Sequence, residues 1–381
     1  IPVGKIVLST IMRKHKSSKF DKFNKIEVEN HINLSMRIID VMSKSIKILK
    51  PQILITQDRG YTPVAEIFEV ALKNKIKCIE VHISHRSEFL VFKKYSLKNK
   101  FHHFNSLSKS SVTKLKTNKI TKKDIKSFFD ELEFCYKTGK WYEEVGTQFE
   151  KSEITKKEFF KRFNLKKNRK VAVLFSHIFW DGTFFFGKDL FLDYEEWFKE
   201  SLKIMIKNTN VSWIIKAHPA NTVKNLRDNK INRSELDAIK EVVNTLPDHI
   251  QFVDAKDSTS TLSFFKSIDY CVTVRGTVGI EAACWGVPVL TAGSGRFDKI
   301  GFTIDHNSTQ SYLKSLKKIE EIKRIDNKRK KLAIAFGYNL FCKRIFPTKN
   351  IKFIFRRNKE CTMTFIVKSQ KIFDEKNLIS L

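Results

Sequence analysis

The sequence lacks the features that define several common classes of protein. It contains no run of 18 apolar residues, so we expect no membrane-spanning helix. Six cysteines occur in 381 residues and none belongs to a Cys-x-x-Cys pair, which argues against a disulfide framework and favours a reducing, cytoplasmic compartment. The Walker phosphate loop, the GxSxG nucleophile elbow and the HExxH zinc motif are also missing, so those three catalytic architectures have no support.

Acidic residues are scarce relative to basic ones. The chain has 41 Asp and Glu against 72 Lys and Arg, a formal net charge of +31. Such a charge attracts nucleic acid, an acidic membrane surface or phosphorylated substrates. Most of the basic residues are lysines spread over the whole chain, whereas nucleic-acid readers concentrate charge on one element and use arginine at the bases. We therefore expect solvated basic faces, an anionic membrane surface as a partner, and no nucleic acid.

The length and the hydrophobic pattern predict two α/β domains. A chain of 381 residues with 33 phenylalanines exceeds one ordinary domain and can form more than one core. The first half contains a predicted strand over 52–56, a helix over 64–74 and a strand over 76–83, which form a right-handed crossover. In the second half, strands are predicted over 171–175, 211–215, 250–253, 270–274 and 287–291, with helices between them. This alternation predicts two Rossmann-like, doubly wound parallel-sheet domains that face a cleft.

The domain boundaries follow from the same pattern. We assign an N-terminal α/β domain to 1–165, a C-terminal α/β domain to 166–345 and a basic tail to 346–381. Residues 122–162 are predicted to be mainly helical, and the tail contains two candidate edge strands, 351–355 and 363–367. The opening Ile-Pro-Val-Gly resembles the interior of a protein, so we expect the start of the first domain to lie upstream of Ile1.

One strand of the second half ends in a loop that suits a phosphate. Arg275, Gly276 and Thr277 follow the strand directly, and Glu281 lies one helical turn further along. Gly276 and Gly279 are predicted to allow close approach of the backbone, and Thr277 is predicted to cap the next helix, whose exposed N–H groups attract anions. We expect Glu281 to accept ribose hydroxyls; the alternative is a tight loop with a surface carboxylate.

A second loop carries Lys216, His218 and Pro219 at the end of the strand over 211–215. His218 can donate to a phosphate oxygen or act as an acid, and Lys216 adds positive charge. Pro219 fixes the turn and biases His218 towards extended geometry. The carboxyl ends of parallel strands meet at one edge of a sheet, so we expect both loops to bind one ligand. The alternative is an ordinary strand end with a solvated histidine.

The loop over 176–183, which follows the first strand of the second half, contains Ser176, His177 and Asp181. Its hydroxyls, imidazole and carboxylate suit contact with the same ligand. The alternative is an aromatic-rich loop packed against the other domain. A glycine-rich loop beginning at Gly293 is expected near the ligand as well, with a flexible linker as the alternative.

In the first half, Asp58, Arg59 and Tyr61 form a polar loop after the strand over 52–56. If the two sheets oppose each other, this loop faces the same cleft. Asp58 is then a candidate general base for an acceptor hydroxyl, and Arg59 and Tyr61 are candidate ligands of an acidic acceptor. The alternative is a salt-bridged turn.

Three of these segments together resemble a known family. They are Lys216-Ala-His218-Pro219-Ala, Thr273-Val-Arg-Gly-Thr-Val-Gly-Ile-Glu281, and Gly286-Val-Pro288-Val with Gly301-Phe-Thr303. The combination resembles the capsule polysaccharide biosynthesis family, GT-B-type transferases that include the bacterial capsule Kdo transferases. The resemblance is good over roughly 170–315 and weaker over 1–165. Lys5 departs from it, because an acid is expected after the Pro-x-Gly start.

The resemblance implies a GT-B-like glycosyltransferase that needs no cofactor and takes a nucleotide-sugar, with CMP-Kdo as one candidate, as co-substrate in its C-terminal unit. The glycan or glycolipid acceptor would enter from the N-terminal unit, at Arg59 and Tyr61. Together with the loops above, this makes His218, Asp58 and Asp181 the candidate catalytic residues. The candidate donor-binding residues are Ser176, His177, Lys216, His218, Pro219, Arg275, Gly276, Thr277, Glu281 and Gly293.

Metal-dependent sugar transferases typically hold their ion with an Asp-x-Asp pair. The chain has no such pair, so we expect no metal.

The leading hypothesis is transfer of a sugar to a capsule or other surface polysaccharide or glycolipid, by a peripheral protein at the inner face of the cytoplasmic membrane. A polyol-phosphate transferase of the teichoic-acid type is an alternative, but those enzymes carry Asp-Tyr-Ser-Ser where this chain has Arg275-Gly-Thr-Val. A non-catalytic basic protein that binds a membrane surface or nucleic acid is a further alternative. No recognition helix or aromatic-basic stripe supports it.

Overall fold

The computed structural model describes residues 1–19, 23–117, 120–143, 151–182, 184–228, 233–348, 351–355 and 363–367. The helices in these ranges are α1 (Val3–His15), α2 (Lys25–Leu49), α3 (Val64–Lys73), α4 (Lys109–Thr117), α5 (Lys122–Thr138), α6 (Lys156–Arg162), α7 (Tyr194–Lys207), α8 (Ala220–Asp228), α9 (Glu235–Val242), α10 (Thr261–Ser267), α11 (Val278–Cys284), α12 (Thr309–Lys317) and α13 (Asn327–Tyr338). A short 3-10 helix spans Ile319–Glu321 and a π-helical turn spans Asn339–Lys343. The strands are β1 (Ile53–Thr56), β2 (Lys77–Ile83), β3 (Phe89–Tyr95), β4 (Lys170–Phe175), β5 (Val211–Lys216), β6 (Ile250–Val253), β7 (Tyr270–Thr273), β8 (Val289–Thr291), β9 (Ile304–Asp305), β10 (Phe346–Pro347), β11 (Ile351–Phe355) and β12 (Met363–Val367).

The larger sheet has six strands in the order β6-β5-β4-β7-β8-β9, and every neighbouring pair is parallel. From β4 the chain first adds β5 and β6 on one side and then β7, β8 and β9 on the other. The order therefore reverses between β4 and β7. The loops that leave these two strands diverge at that point and open a crevice at the carboxyl edge of the sheet.

Separate hydrophobic cores cover the two faces of this sheet. Along β4, Val171 and Val173 belong to one core, while Ala172 and Leu174 belong to the other. The first core includes residues of α5, α6, α10, α11 and α13, and the second includes residues of α7, α9 and α12. Side chains alternate across a strand, so this sheet must be apolar in nearly every position, and β5 is buried along its whole length. The doubly wound arrangement predicted for the second half is confirmed.

The smaller sheet has the order β1-β2-β3-β10. β1 and β2 are parallel and joined through α3, as predicted. β3 pairs antiparallel with β2, and β10 pairs antiparallel with β3. The α/β class with two sheets facing a cleft is thus confirmed, but the first sheet is mixed rather than purely parallel. The reason is the short connection over 84–88, which leaves no room for the crossover that a parallel neighbour requires.

Two local expectations also differ from the structure. The helical stretch expected over 122–162 is two helices, because Gly139 ends α5 in the left-handed conformation with φ of 71° and α6 begins separately; residues 144–150 lie outside the described ranges. The tail segments 351–355 and 363–367 are strands, as predicted, but among the described residues they pair with each other as a two-stranded sheet. Within the described ranges, no helix combines the length and the apolar character needed to cross a membrane.

Gly337 of α13 tests the packing between α13 and α5. A Cβ atom at this position would lie 2.6 Å from Cζ of Phe128. Gly337→Ala is expected to lower the free energy of unfolding by about 1–3 kcal/mol, because the phenylalanine ring must shift. Gly4→Ala in α1 is the matched control: no atom lies within 4 Å of a Cβ there, and alanine should raise stability by up to about 1 kcal/mol. Urea unfolding measures both, and equal effects of the two substitutions would contradict this packing.

Candidate functional site

A cavity of about 580 Å³ lies where the two sheets face each other. The loops after β4, β5 and β7 form one wall, and the loop after β1 with residues 103–105 forms part of the opposite wall. Twelve of the residues predicted from the sequence line this cavity: Asp58, Tyr61, Ser176, His177, Asp181, Lys216, His218, Pro219, Arg275, Gly276, Thr277 and Glu281. Arg59 and Gly293 are not among the lining residues. The predicted convergence of the His218 and Thr277 loops on one cavity is therefore present.

His218 is held by hydrogen bonds on its backbone and on one ring nitrogen. Its amide donates to Oε1 of Glu235 at 3.1 Å, and the Ala220 amide donates to its Nδ1 at 3.2 Å. Nδ1 is thus an acceptor, so the neutral ring carries its proton on Nε2. Burial, with the nearby charge of Lys224, lowers the pKa of His218 to about 4. At neutral pH His218 is a neutral hydrogen-bond donor.

Lys216 lies behind His218 at the end of β5. Its Nζ donates to the backbone oxygen of Asp254 at 2.8 Å, and the residue is buried. Burial lowers the pKa of Lys216 to about 8, so the ammonium form still predominates at neutral pH. Ser176, at the end of the neighbouring β4, is tied to the same strand because its amide donates to the Lys216 carbonyl at 3.0 Å. The two strand ends are therefore fixed relative to each other.

The turn after β7 is fastened by His177. The amide of Val274 donates to His177 Nε2 at 3.2 Å, so this nitrogen is unprotonated in the neutral ring. Thr273 Oγ1 lies 3.1 Å from the same nitrogen and accepts from the Gly276 amide at 3.3 Å. Burial holds the pKa of His177 well below its usual value. Its Nε2 therefore supports the turn, and the residue also lines the cavity.

Two expectations about this turn are wrong. Thr277 has helical dihedrals, φ −54° and ψ −29°, and its side chain makes no capping hydrogen bond to α11. Gly279 does not serve close approach of a ligand, because it packs into the core. A Cβ there would lie 2.8 Å from Cζ of Phe297 and 3.2 Å from Cγ1 of Val289.

Glu281 is a buried carboxyl group at the cavity wall rather than a surface residue; it is 3% exposed. The hydroxyl of Tyr136, from α5, donates to its carboxylate. Burial raises the pKa of Glu281 to about 7, so the group is partly protonated at neutral pH. Its charge therefore changes within the physiological pH range, which is typical of groups at functional sites.

Arg275 is oriented by an ion pair with Asp189, and its Nη1 donates to the Phe186 carbonyl at 2.7 Å. Gly293 lies directly behind this pair. A Cβ at Gly293 would lie 2.8 Å from Arg275 Nη2 and 3.0 Å from Asp189 Oδ1. The expectation that Gly293 contacts the ligand is therefore not supported. The glycine leaves room for the buried ion pair that aims Arg275.

Polar contacts connect α1, through the loop after β1, to the loop after β4 and to α8. Arg13 pairs with Asp58 at 2.5 Å, and its guanidinium carbon lies 4.2 Å from the centre of the Tyr61 ring. The Tyr61 hydroxyl donates to Asp181 at 2.6 Å, and Lys224 donates to the other oxygen of the same carboxylate. Burial alone would raise the pKa of Asp181, but Lys224 and the Tyr61 hydrogen bond outweigh it and hold that pKa below its usual range.

Arg59 does not face the cavity. It is 2% exposed, and its Nε donates to Glu80 at 3.2 Å. Its Nη2 donates to the carbonyls of His102 and Phe185 at 3.1 and 3.2 Å. The expectation of acceptor binding at Arg59 is therefore not supported, since these contacts engage it as an internal tie. Arg59 thus links the loop after β1 to the segment that follows β4.

Several lining residues were not identified from the sequence: Arg13, Lys224, Arg296, His103 and Tyr136. Arg296 has the clearest sequence signal, since it is a cation in the glycine-rich loop that was singled out. It donates to the Arg275 carbonyl at 3.2 Å, and its Nε is buried without a partner among the described residues. Thr183, within the predicted loop over 176–183, lies outside the described residues.

Among the described residues, one group has atoms close enough to hold a metal ion: His85, Glu131 and Cys135, with ligand atoms within 4.8 Å of one another. It lies outside the cavity. His85 Nε2 and Glu131 are 2.8 Å apart, and Arg86 donates to both Glu131 oxygens. Burial raises the pKa of the Cys135 thiol far above its usual value. These groups are thus engaged with one another and with a cation.

The fold and the site define an α/β protein with a ligand cavity at the switch point of a parallel sheet. The family described as capsule polysaccharide biosynthesis protein matches residues 94–336. The chain belongs to this family. A comparison with curated proteins found no match.

Solved structures with some similarity include two enzymes of Thermosulfurimonas dismutans. The KpsC β-Kdo 2,7 transferase is 13% identical, with 94% of this chain and 98% of that chain covered and a TM-score of 0.46. The KpsC β-Kdo 2,4 transferase is 11% identical, with coverage of 74% and 78% and a TM-score of 0.43. The UDP-GlcNAc 2-epimerase of Neisseria meningitidis bound to UDP-GlcNAc is 15% identical, with coverage of 81% and 78% and a TM-score of 0.35.

The raised pKa of Glu281 predicts a specific pH dependence of stability. Between its ordinary value of 4.5 and about 7, the folded chain holds a proton on Glu281 that the unfolded chain has lost. The contribution of Glu281 to the free energy of unfolding must therefore fall as pH rises through this window. Glu281→Gln removes it, so the stability difference between wild type and variant should change by up to roughly 3 kcal/mol between pH 4.5 and 8.

Urea unfolding at several pH values measures this difference. Glu29→Gln is the matched control, because Glu29 is exposed on α2 and its replacement should leave the pH profile unchanged. Parallel profiles for wild type and Glu281→Gln would contradict the assignment.

Proposed function

We propose that the chain is a glycosyltransferase that moves a sugar from a nucleotide-sugar to a capsule or other surface polysaccharide or glycolipid. The observation that carries this proposal is the convergence of His218, Arg275 and Glu281 on one cavity, at the point where the order of the parallel strands reverses. Membership of the capsule polysaccharide biosynthesis protein family supports it. Ligands of open α/β sheets bind at such switch points.

The second sheet supplies the donor site in this proposal. His218 donates through Nε2–H to a phosphate oxygen of the nucleotide, and the Lys216 ammonium adds positive potential behind it. Arg275, aimed by Asp189, contributes a second cation on the other side of the crevice. Glu281 accepts hydrogen bonds from ribose hydroxyls, as the resemblance implies. These fixed groups stabilise the charge that develops on the leaving phosphate, with little reorganisation during the reaction.

The loop after β1 supplies the acceptor side. Asp58 lines the cavity and is exposed over 45% of its side chain, so an acceptor hydroxyl can reach its carboxylate. Asp58 accepts the hydroxyl proton, the acceptor oxygen bonds to the anomeric carbon, and the bond to the phosphate oxygen breaks with its electrons leaving on the nucleotide. Asp181 holds Tyr61 and Lys224 at the cavity wall, and its lowered pKa makes it a weak base.

A glycolipid acceptor places the reaction at the inner face of the cytoplasmic membrane. The net charge of +31 suits attraction to an anionic lipid surface. We propose that this chemistry needs no cofactor and no metal, because cationic side chains neutralise the charge of the donor phosphate. We propose CMP-Kdo as the first donor to test.

Donor binding is tested by thermal unfolding with CMP-, UDP- and GDP-sugars. One donor class should raise the melting temperature, because a ligand that binds the folded state stabilises it by mass action. His218→Ala should weaken that donor roughly tenfold or more, since a hydrogen bond to a charged group is lost. His15→Ala, on the exposed end of α1, is the matched control. Equal donor affinity of both variants would refute the donor site.

The base is tested by turnover once a donor is known. Asp58→Asn should lower kcat by about 10²–10⁴-fold while the affinity for the donor is retained, because the group that accepts the proton is lost. Asp130→Asn, exposed on α5, is the control and should leave kcat unchanged. Full turnover by Asp58→Asn would remove Asp58 from the mechanism.

A further inference from the structure

A second cavity, of about 370 Å³, lies on the first sheet beside β3. Four cations line it, Lys93, Lys94, Lys343 and Arg344, together with serine hydroxyls and asparagine amides. None of the described residues that line it carries a carboxylate. In a chain with this much positive charge, exposed lysines near a groove are ordinary. Lys93 differs from them because it is buried, and Arg344 is half-buried beside it.

Lys93 and Arg344 converge on one neutral group. Lys93 Nζ donates to the carbonyl oxygen of Ser106 at 3.0 Å and to its hydroxyl at 2.9 Å. Arg344 Nη1 donates to the same carbonyl oxygen at 3.0 Å, and its Nη2 donates to the Phe92 carbonyl at 3.0 Å. Lys93 is 6% exposed. Lys93 and Arg344 are thus held close to each other by hydrogen bonds to neutral carbonyl and hydroxyl groups.

The nearby acid is engaged elsewhere. Glu80 lies opposite Lys93 in the register of β2 and β3, but its carboxylate binds Arg59 and His82. Among the described residues, Lys93 has no ion pair. Burial and the charge of Arg344 lower the pKa of Lys93 to about 7, and burial lowers that of Arg344 to about 10. A buried charge without a counter-charge is unfavourable, and an anion bound in this cavity would offset that cost.

We propose that this cavity is a binding site for an anionic group of the phosphate class, held by Lys93 and Arg344. Its volume is in the range of cavities that bind small molecules, so it accommodates a phosphate ester as well as a free ion. The ester is either a soluble phosphate compound or the headgroup of an anionic lipid. The site does not depend on the proposed donor site, because none of its lining residues lines the larger cavity.

The two cavities nevertheless share a segment of chain. Residues 103–105 line the larger cavity, and the next residues, 106–108, line the smaller one. Both cations donate to the Ser106 carbonyl, so an anion that binds Lys93 and Arg344 also stabilises the position of the Ser106 backbone. It supports the wall that carries His103 and Asn105.

Thermal unfolding with inorganic phosphate, titrated against chloride at constant ionic strength, tests the site. Wild type should be stabilised by phosphate, and Lys93→Met should weaken the phosphate-dependent component roughly ten- to hundredfold in apparent Kd. Without phosphate, Lys93→Met should melt at a higher temperature than wild type, because an unpaired buried charge is removed. Lys98→Met, exposed in the turn after β3, is the matched control and should behave as wild type.

Arg344→Met is the second variant and should show the same loss of phosphate response as Lys93→Met. Lys216→Met reports phosphate bound in the larger cavity. A phosphate response that disappears in Lys216→Met but is intact in Lys93→Met and Arg344→Met would overturn the proposal. Failure of this anion site can thus be distinguished from failure of the donor site, because the donor site is tested separately with nucleotide-sugars.

Co-sedimentation with vesicles distinguishes the two sources of phosphate. Vesicles of phosphatidylcholine with phosphatidylglycerol are compared with vesicles of phosphatidylcholine alone. Binding to phosphatidylglycerol that falls tenfold or more in Lys93→Met, but not in Lys98→Met, supports a lipid headgroup. Loss of the phosphate response alone supports a soluble phosphate compound. If neither probe distinguishes Lys93→Met from Lys98→Met, the cavity is not an anion site.

Discussion

The reversal of strand order between β4 and β7 is the constraint on which the site depends. Parallel neighbours send their following loops to opposite faces of the sheet at this point, so the carboxyl edge is left open there. The chain places His218 after β5 and Arg275 after β7, on the two sides of the opening. The fully buried β5 and the two cores make this sheet a rigid base for the loops.

Buried ion pairs then give the loops their positions. Arg275 is aimed by Asp189, and Arg59 is fixed by Glu80 and two carbonyls. Both arginines are nearly inaccessible to water, and each is paired with a carboxylate that offsets the cost of burying its charge. Their remaining contacts separate their roles. Arg275 retains a surface on the larger cavity, whereas the contacts of Arg59 engage it within the structure, so the first serves the ligand and the second serves the fold.

The sequence predicted the second sheet and the convergence of its loops because both follow from local rules. Strand periodicity locates β4, β5 and β7, and parallel strands bring their ends together, so His218 and Glu281 could be placed on one edge. Other features depend on contacts between distant segments. Glu281 accepts a hydrogen bond from Tyr136 of α5, and a side chain at position 293 would clash with the ion pair of Arg275 and Asp189. No local pattern reports such contacts.

The mixed character of the first sheet has a similar origin. A short connection fixes β3 antiparallel to β2. The apolar and basic residues of β3 do not alternate along the strand, so its place in the sheet could not be predicted from their pattern. Arg59 and Arg275 illustrate the same limit at the level of single residues. Both follow a strand and precede a glycine, so their sequence contexts are alike, and only their contacts with distant segments distinguish an internal tie from a cavity residue.

The pairing of β10 with β3 ties the two halves together a second time. The chain leaves the first sheet after β3, builds the second sheet, and returns after α13 to add β10 to the sheet it started from. The backbone therefore crosses between the two sheets twice, once in each direction. Any movement that widens or narrows the opening must bend the backbone at both bridges, so it is restricted to rotation about the line that joins them.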